Sequence, residues 1–376
     1  MAGCLPGAPM HSTLPLPGHK GVELRPRLRL VFNAIMSSTA ALPANVLPLM
    51  QPRLQDQHGR SKRKLRVSLT DRCNLRCPYC MPDHPQWLPK AQILRREELL
   101  RLLTLFVTQG GIKELRLTGG EPLLRRDLAE IIRECGQLRE RGLERISLTT
   151  NGLLLPQHAE KLAEAGLDDL NVSLDALGEE AFARMSGGHG SPQQVLAGIR
   201  AVRDAGLAVK INSVIIRGYN EHEVLPLVRW ACAEDVPLRF IEFMPLDGRG
   251  EWTAERVISE AEMLAPLRAE FQLEAQPETD EPARYYRVNQ RYMLGVISTI
   301  SKPFCKRCDR LRLTATGELY SCLFAERGRD LRALLRGDAT DAEILASIRG
   351  EVWNKGKGYL ANGYVERPIS MHALGG

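Results

Sequence analysis

Six of the nine cysteines fall in two groups of three. Cys73, Cys77 and Cys80 form a C-x3-C-x2-C run inside TDRCNLRCPYC (70–80), and Cys305, Cys308 and Cys322 form a C-x2-C-x13-C set near the other end. Each group offers three thiolates to one centre. A structural zinc ion takes four ligands, and spacing alone leaves room for a Cys3His site that borrows His84, four residues after Cys80. A cubic 4Fe–4S cluster held by three cysteines instead keeps one iron without a protein ligand, open to a small molecule. Two such centres in one chain point to an enzyme whose clusters each grip a different ligand.

The elements that must position these groups begin at Lys64. KLRVSL (64–69), ELRLT (114–118), RISLT (145–149), DLNVS (169–173), VKINSVII (209–216) and RFIEF (239–243) read as strands. Between them, apolar residues recur at helical spacing over 96–107, 126–141, 156–165, 192–205 and 221–233. Six βα units in series predict an α/β fold, a parallel sheet wrapped as a full or partial TIM-like (βα)6 barrel. Active sites of such folds lie at the carboxyl ends of the strands. The first triad follows strand one, Gly119–Gly120 ends strand two, TTNG (149–152) ends strand three and Ser173 ends strand four. After about residue 250 the alternation stops. A helix near 251–270, an antiparallel pair at 285–289 and 291–298, and a strand–turn–strand with Gly317 at its turn suggest a smaller α+β region carrying the second triad. The expected division is an extension over 1–60, a barrel over 61–250 and a C-terminal region over 251–376.

Composition narrows the class. The chain has 376 residues, 44% of them hydrophobic, and no apolar run long enough to span a bilayer. Residues 1–60 hold eight of the 23 prolines and six Lys/Arg against two Asp/Glu, so +4 of the net +6 lies there. That segment reads as a flexible extension, with a transit peptide or a later translation start at Met36 or Met50 as alternatives. The remaining body is nearly neutral and aromatics are only 5%, which argues against a zinc-bearing nucleic-acid binder. Close-set cysteines in such a chain read as metal binding in a reducing, cytoplasmic setting, while the isolated Cys4, Cys135 and Cys232 read as packing or tail positions.

The C-x3-C-x2-C run with Tyr79 before its last cysteine, followed by Gly119–Gly120–Glu121–Pro122, resembles the radical S-adenosylmethionine enzymes. The resemblance implies a 4Fe–4S cluster on Cys73, Cys77 and Cys80. Its open iron would take the amino and carboxylate groups of S-adenosylmethionine, and one electron would split the sulfonium to a 5′-deoxyadenosyl radical. In CDRLRL (308–313), Arg310 and Arg312 alternate with leucines, so both guanidiniums face one side beside the second triad. Paired guanidinium forks suit a polyphosphate.

That segment, with the terminal Gly375–Gly376, resembles the GTP 3′,8-cyclase family of molybdenum cofactor biosynthesis, from about residue 62 to the end. The resemblance implies a second 4Fe–4S cluster, on Cys305, Cys308 and Cys322, whose open iron meets the guanine of GTP. It implies GTP contacts at Arg66, Arg116, Thr149, Lys210, Arg310 and Arg312. It implies S-adenosylmethionine contacts at Tyr79, Gly120, Ser173 and Met244, and a catalytic tail at Gly375 and Gly376. Hydrogen would leave the ribose 3′ carbon, which then bonds to carbon 8 of guanine. An electron donor, transfer of product to cyclic pyranopterin monophosphate synthase and a homodimer belong to the same expectation, with no membrane or nucleic-acid partner. Arg66 and Lys210 on inner strands need a counter-charge, which a triphosphate would supply. A peptide maturase of the same superfamily would carry more C-terminal cysteines than these three.

Overall fold

The computed structural model describes residues 53–359 and 370–375. Most of the expected extension, with its alternative start sites and Cys4, therefore lies outside the described residues, as does Gly376.

Alternation of leucine or valine with charge builds the sheet. In β1 (Lys64–Ser68), β2 (Glu114–Thr118) and β10 (Arg310–Leu313), Leu65, Val67, Leu115, Leu117, Leu311 and Leu313 are all fully buried. A strand sends successive side chains to opposite faces. The leucine face packs under the helices, and the charged face lines an interior cavity. The other strands are β3 (Arg145–Thr150), β4 (Asp169–Ser173), β5 (Ala208–Ile215), β6 (Leu238–Glu242), β7 (Leu273–Ala275), β8 (Arg284–Val288), β9 (Tyr292–Ile297), β11 (Glu318–Tyr320) and β12 (Arg329–Asp330). Among the described residues they form one 12-stranded sheet in the order β12-β11-β10-β1-β2-β3-β4-β5-β6-β9-β8-β7.

All six expected parallel strands are present. Two more parallel strands flank them: β10 beside β1 and β9 beside β6. Both come from the segment after residue 250, so the sheet crosses the expected boundary without a break. The expected antiparallel pair is β8–β9, and the strand–turn–strand is β10–β11.

Helices α1 (Arg96–Thr108), α2 (Leu128–Gly136), α3 (Ala159–Glu164), α4 (Glu179–Ser186), α5 (Pro192–Asp204) and α6 (Val224–Glu234) share one core with the leucine face. In α1, Leu99, Leu102, Leu103 and Phe106 recur at helical spacing and are buried. α5 starts at a capping box, Ser191 with Gln194, and has Pro192 at its first position. α7 (Glu260–Arg268) starts the same way at Ser259 with Glu262. That cap corrects the helix expected near 251–270, because the chain before Ser259 is held otherwise: the Trp252 indole donates to Phe243 O at 3.1 Å. α8 (Arg332–Arg336), α9 (Asp341–Trp353) and α10 (Met371–Leu374) complete the described helices.

Residues 53–60 are packed rather than part of an extension. Leu54 is buried, Gln55 bridges to Ser61, and Arg60 donates to Cys305 O, Gly356 O and Lys357 O. Among the described residues no helix is long and apolar enough to cross a membrane.

Candidate active site

A cavity of about 320 Å³ opens on the charged face of the sheet, and all six clustered cysteines line it. Backbone register sets its walls. Arg312, Arg66 and Arg116 are direct partners across β10, β1 and β2. Thr149, Asn171 and Lys210 are partners across β3, β4 and β5, and Ser173, Asn212 and Arg239 across β4, β5 and β6. A single polar parity, repeated strand after strand, stacks these side chains on one surface.

The first triad sits in the loop after β1. The Cys80 amide donates to Cys77 O at 3.0 Å, while Leu75 N and Asn151 Nδ2 point at Cys73 Sγ from 3.4 and 3.8 Å. Gly119 and Gly120 are required by this loop. A Cβ on Gly120 would stand 2.3 Å from Arg72 O, and one on Gly119, at φ +149°, 2.5 Å from Thr70 O. Without side chains the end of β2 closes on the cysteine loop, with Gly120 N donating to Thr70 O and Glu121 N to Arg72 O, both at 2.7 Å. Glu121 is fully buried and accepts from Leu123 N, Thr150 Oγ1 and Asn151 N; burial pushes its carboxyl up to about 7. Tyr79 donates its hydroxyl to Asp175 Oδ2 at 2.7 Å, and burial raises Asp175 to about 6. Burial, with Glu121 nearby, also pushes the Cys73 thiol up to about 11.

At the second triad burial again raises the Cys305 thiol, but Cys308 is flanked by cations. Lys355 Nζ lies 3.2 Å from Cys308 Sγ, and Lys62 Nζ donates to Cys308 O at 2.8 Å. Burial pushes the Cys308 thiol up, but Lys355 and Arg310 outweigh it and bring the thiol down to about 7. The Phe324 amide points at Cys322 Sγ from 3.4 Å.

These donors fit iron–sulfur clusters. All six thiols are free, each centre is made of soft sulfur alone, and amide and ammonium donors point at the sulfurs. His84, the candidate fourth zinc ligand, is exposed and does not line the cavity. Among the described residues no three His, Cys, Asp or Glu side chains converge on a single ion position.

Between the triads the cavity is strongly cationic. Burial, with Arg312 and Arg116 alongside, pushes the Arg66 guanidinium well below its usual value. Burial and Arg239 bring Arg116 down to about 10. Such crowding of like charge calls for an anionic occupant.

Two family models match the chain, that of the Radical SAM superfamily over residues 67–231 and that of Molybdenum Cofactor Synthesis C over residues 236–361. A "GTP 3',8-cyclase" of Streptomyces coelicolor is 44% identical over 331 residues, covering 86% of this chain and 96% of that one. A "GTP 3',8-cyclase" of a Mycobacterium species, strain KMS, is 43% identical over 345 residues, with 90% and 97% covered. The chain belongs to the GTP 3′,8-cyclase family. Among solved structures, Streptococcus suis SuiB bound to its precursor peptide SuiA matches with a TM-score of 0.56, 14% identity, and 89% and 75% coverage. SuiB bound to S-adenosylmethionine matches at 0.52 with 14% identity, covering 86% and 72%. At that identity the likeness shows the fold alone.

For this cyclase-family chain, the structure brings most of the expected residues to one place. Tyr79, Gly120, Ser173, Met244, Arg66, Arg116, Thr149, Lys210, Arg310 and Arg312 line the same cavity as the cysteines. Gly375 does not line it, but Arg312 Nη1 donates to Gly375 O at 2.5 Å. Gly375 has φ +77°, and a Cβ there would lie 2.5 Å from Thr118 Cγ2. Upstream, Met371 N donates to Leu246 O and His372 N to Cys80 O, so the tail runs from the first cysteine loop to Arg312.

Four lining cations escaped the sequence reading: Lys64, Arg145, Arg239 and Lys355. Arg239 donates from Nε to Asn212 Oδ1 at 3.0 Å and from Nη2 to Asn171 Oδ1 at 2.6 Å. Its inward parity on β6 was a readable signal. Lys355, which follows α9, had none.

Proposed function

We propose that the protein binds S-adenosylmethionine at the first triad and GTP at the second, and joins the ribose 3′ carbon of GTP to carbon 8 of its guanine. The supporting observation is that two three-cysteine centres and a row of buried cations share one cavity of about 320 Å³. When bound, the two clusters would supply the electron that splits S-adenosylmethionine and an open iron for the purine.

The chain's own residues would do the positioning. Cys73, Cys77 and Cys80 would hold one cluster and Cys305, Cys308 and Cys322 the other. Tyr79, Gly120, Ser173 and Met244 would shape the S-adenosylmethionine site. Arg66, Arg116, Lys210, Arg310 and Arg312, with Thr149, would hold the triphosphate and nucleoside, and Arg239 extends that row. Holding both molecules in one water-poor cavity supplies proximity and fixes which hydrogen is reached. Gly375 would hold the tail's backbone against Arg312, and Gly376 belongs to the same proposed catalytic tail. The curated relatives carry the cyclase name, and their full-length coverage supports the same reaction here.

A reductant must deliver electrons, and the product suits cyclic pyranopterin monophosphate synthase as the next enzyme in molybdenum cofactor synthesis. A homodimer remains part of this proposal. The described cysteines are all free thiols, which supports a reducing, cytoplasmic setting. Anaerobic incubation of the iron-loaded protein with GTP, S-adenosylmethionine and dithionite should yield 5′-deoxyadenosine together with a cyclised guanosine triphosphate. Formation of 5′-deoxyadenosine with GTP recovered intact would overturn the substrate assignment.

A further inference from the structure

The two triads differ in their buried charged neighbours, although Arg76 Nη1 also donates to Cys73 O at 2.8 Å beside the first. Beside the first stand two buried carboxylates, Glu121 and Asp175, which are 0% and 6% exposed. Beside the second stand two buried ammoniums, Lys62 and Lys355, at 1% and 3% exposed. Lys62 is paired with Asp56 Oδ2 at 2.7 Å, and Asp56 also takes Arg60 at 2.6 Å. Lys355 is different. Its Nζ lies 3.2 Å from Cys308 Sγ and 3.0 Å from Arg310 O, and among the described residues it forms no ion pair with a carboxylate. A buried ammonium needs a counter-charge, and the atom offered to it is a sulfur that ligates metal as a thiolate.

Hydrogen bonds to the sulfurs and local net charge set the reduction potential of a cluster. A cation beside a ligand sulfur favours the reduced state, which carries one more negative charge, and a buried carboxylate opposes it. We infer that Lys355, which approaches the same cysteine as Lys62, is a positioning residue that donates a charged hydrogen bond to Cys308 and raises the reduction potential of the second cluster above that of the first. The second site would therefore take its electron before the first. Each couple is a one-electron change of a 4Fe–4S cluster from the 2+ to the 1+ state. Dithionite is the electron source in the test, and no bond or proton is exchanged. This rests on the proposed reading that the second triad holds a cluster.

The test uses the full chain carrying Cys73→Ser, Cys77→Ser and Cys80→Ser, loaded with iron and sulfide anaerobically, so that one cluster remains. Its midpoint is read by dithionite titration with electron paramagnetic resonance, and compared with a Cys305→Ser, Cys308→Ser, Cys322→Ser chain that keeps only the first cluster. The expected order is a higher midpoint for the second cluster. Lys355→Met should shift that midpoint downward, while Lys355→Arg keeps it near the parent value. Equal midpoints for the parent chain and its Lys355→Met variant would overturn the inference while leaving the cluster assignment standing. Should Lys355→Met fail to hold iron, Lys355→Gln, a neutral donor, is titrated in its place, and an unshifted midpoint there overturns it equally. If the first-triad serine chain binds no iron at all, the cluster assignment itself fails, and this inference with it.

Discussion

Arg312 is where the substrate row and the tail meet. It is buried, stands between Leu311 and Leu313 on β10, and donates to Gly375 O. A buried charged hydrogen bond is worth about 1.5–3 kcal/mol. Arg312→Ala is therefore expected to weaken GTP binding roughly ten- to a hundredfold, read by calorimetry, with iron content unchanged. Undiminished affinity would remove Arg312 from the GTP site. Glu121 carries a pH prediction. Its folded value of about 7 lies above its ordinary 4.5. A carboxyl raised on folding contributes its full stability below its unfolded value and loses it as pH rises through the folded one. Between about pH 6 and pH 8 the protein should lose on the order of 1 kcal/mol that Glu121→Gln does not lose. Urea midpoints of the two chains at both pH values measure the difference, and parallel pH dependence would contradict it.

At the scale of elements, β10 matters most, because it carries Arg310 and Arg312 to the edge of β1. Its turn into β11 places Gly317 at φ +85°, with Leu94 Cδ2 and Arg332 Cβ within 3.2 Å of where a Cβ would stand. Gly317→Ala should cost about 1–2 kcal/mol, seen as a lower unfolding midpoint; an unchanged midpoint would mean that the turn adapts. Such elements were legible where the pattern is local. KLRVS, ELRLT and DLNVS alternate or run apolar between turn residues, and their strands fall where expected. Parity pointed Arg310 and Arg312 to one side, while Arg66, Arg116 and Lys210 were named by the family resemblance; all five line the cavity. What was not legible depends on distant partners. Nothing in the N-terminal sequence signals that Lys62 bonds to a carbonyl 246 residues away. Nothing near β9 and β10 says that they extend the parallel sheet at both sides. The helix expected near 251–270 starts only at Glu260, because Ser259 caps it with Glu262.

For the molecule as a whole, the sheet and the tail bring two centres from opposite ends of the sequence to one cavity. The tail touches the first cysteine loop through His372 and the substrate row through Gly375. Deleting Gly375–Gly376 should lower turnover sharply while both clusters remain bound, judged by iron content and product formation; full activity in the shortened chain would free the tail of any role. In the proposed reaction a radical made at the first triad reaches GTP held at the second. GTP deuterated at the ribose 3′ carbon tests it directly. Incubated with S-adenosylmethionine and dithionite, the protein should deliver that deuterium into 5′-deoxyadenosine as the cyclised nucleotide forms. Product made with unlabelled 5′-deoxyadenosine would contradict the account.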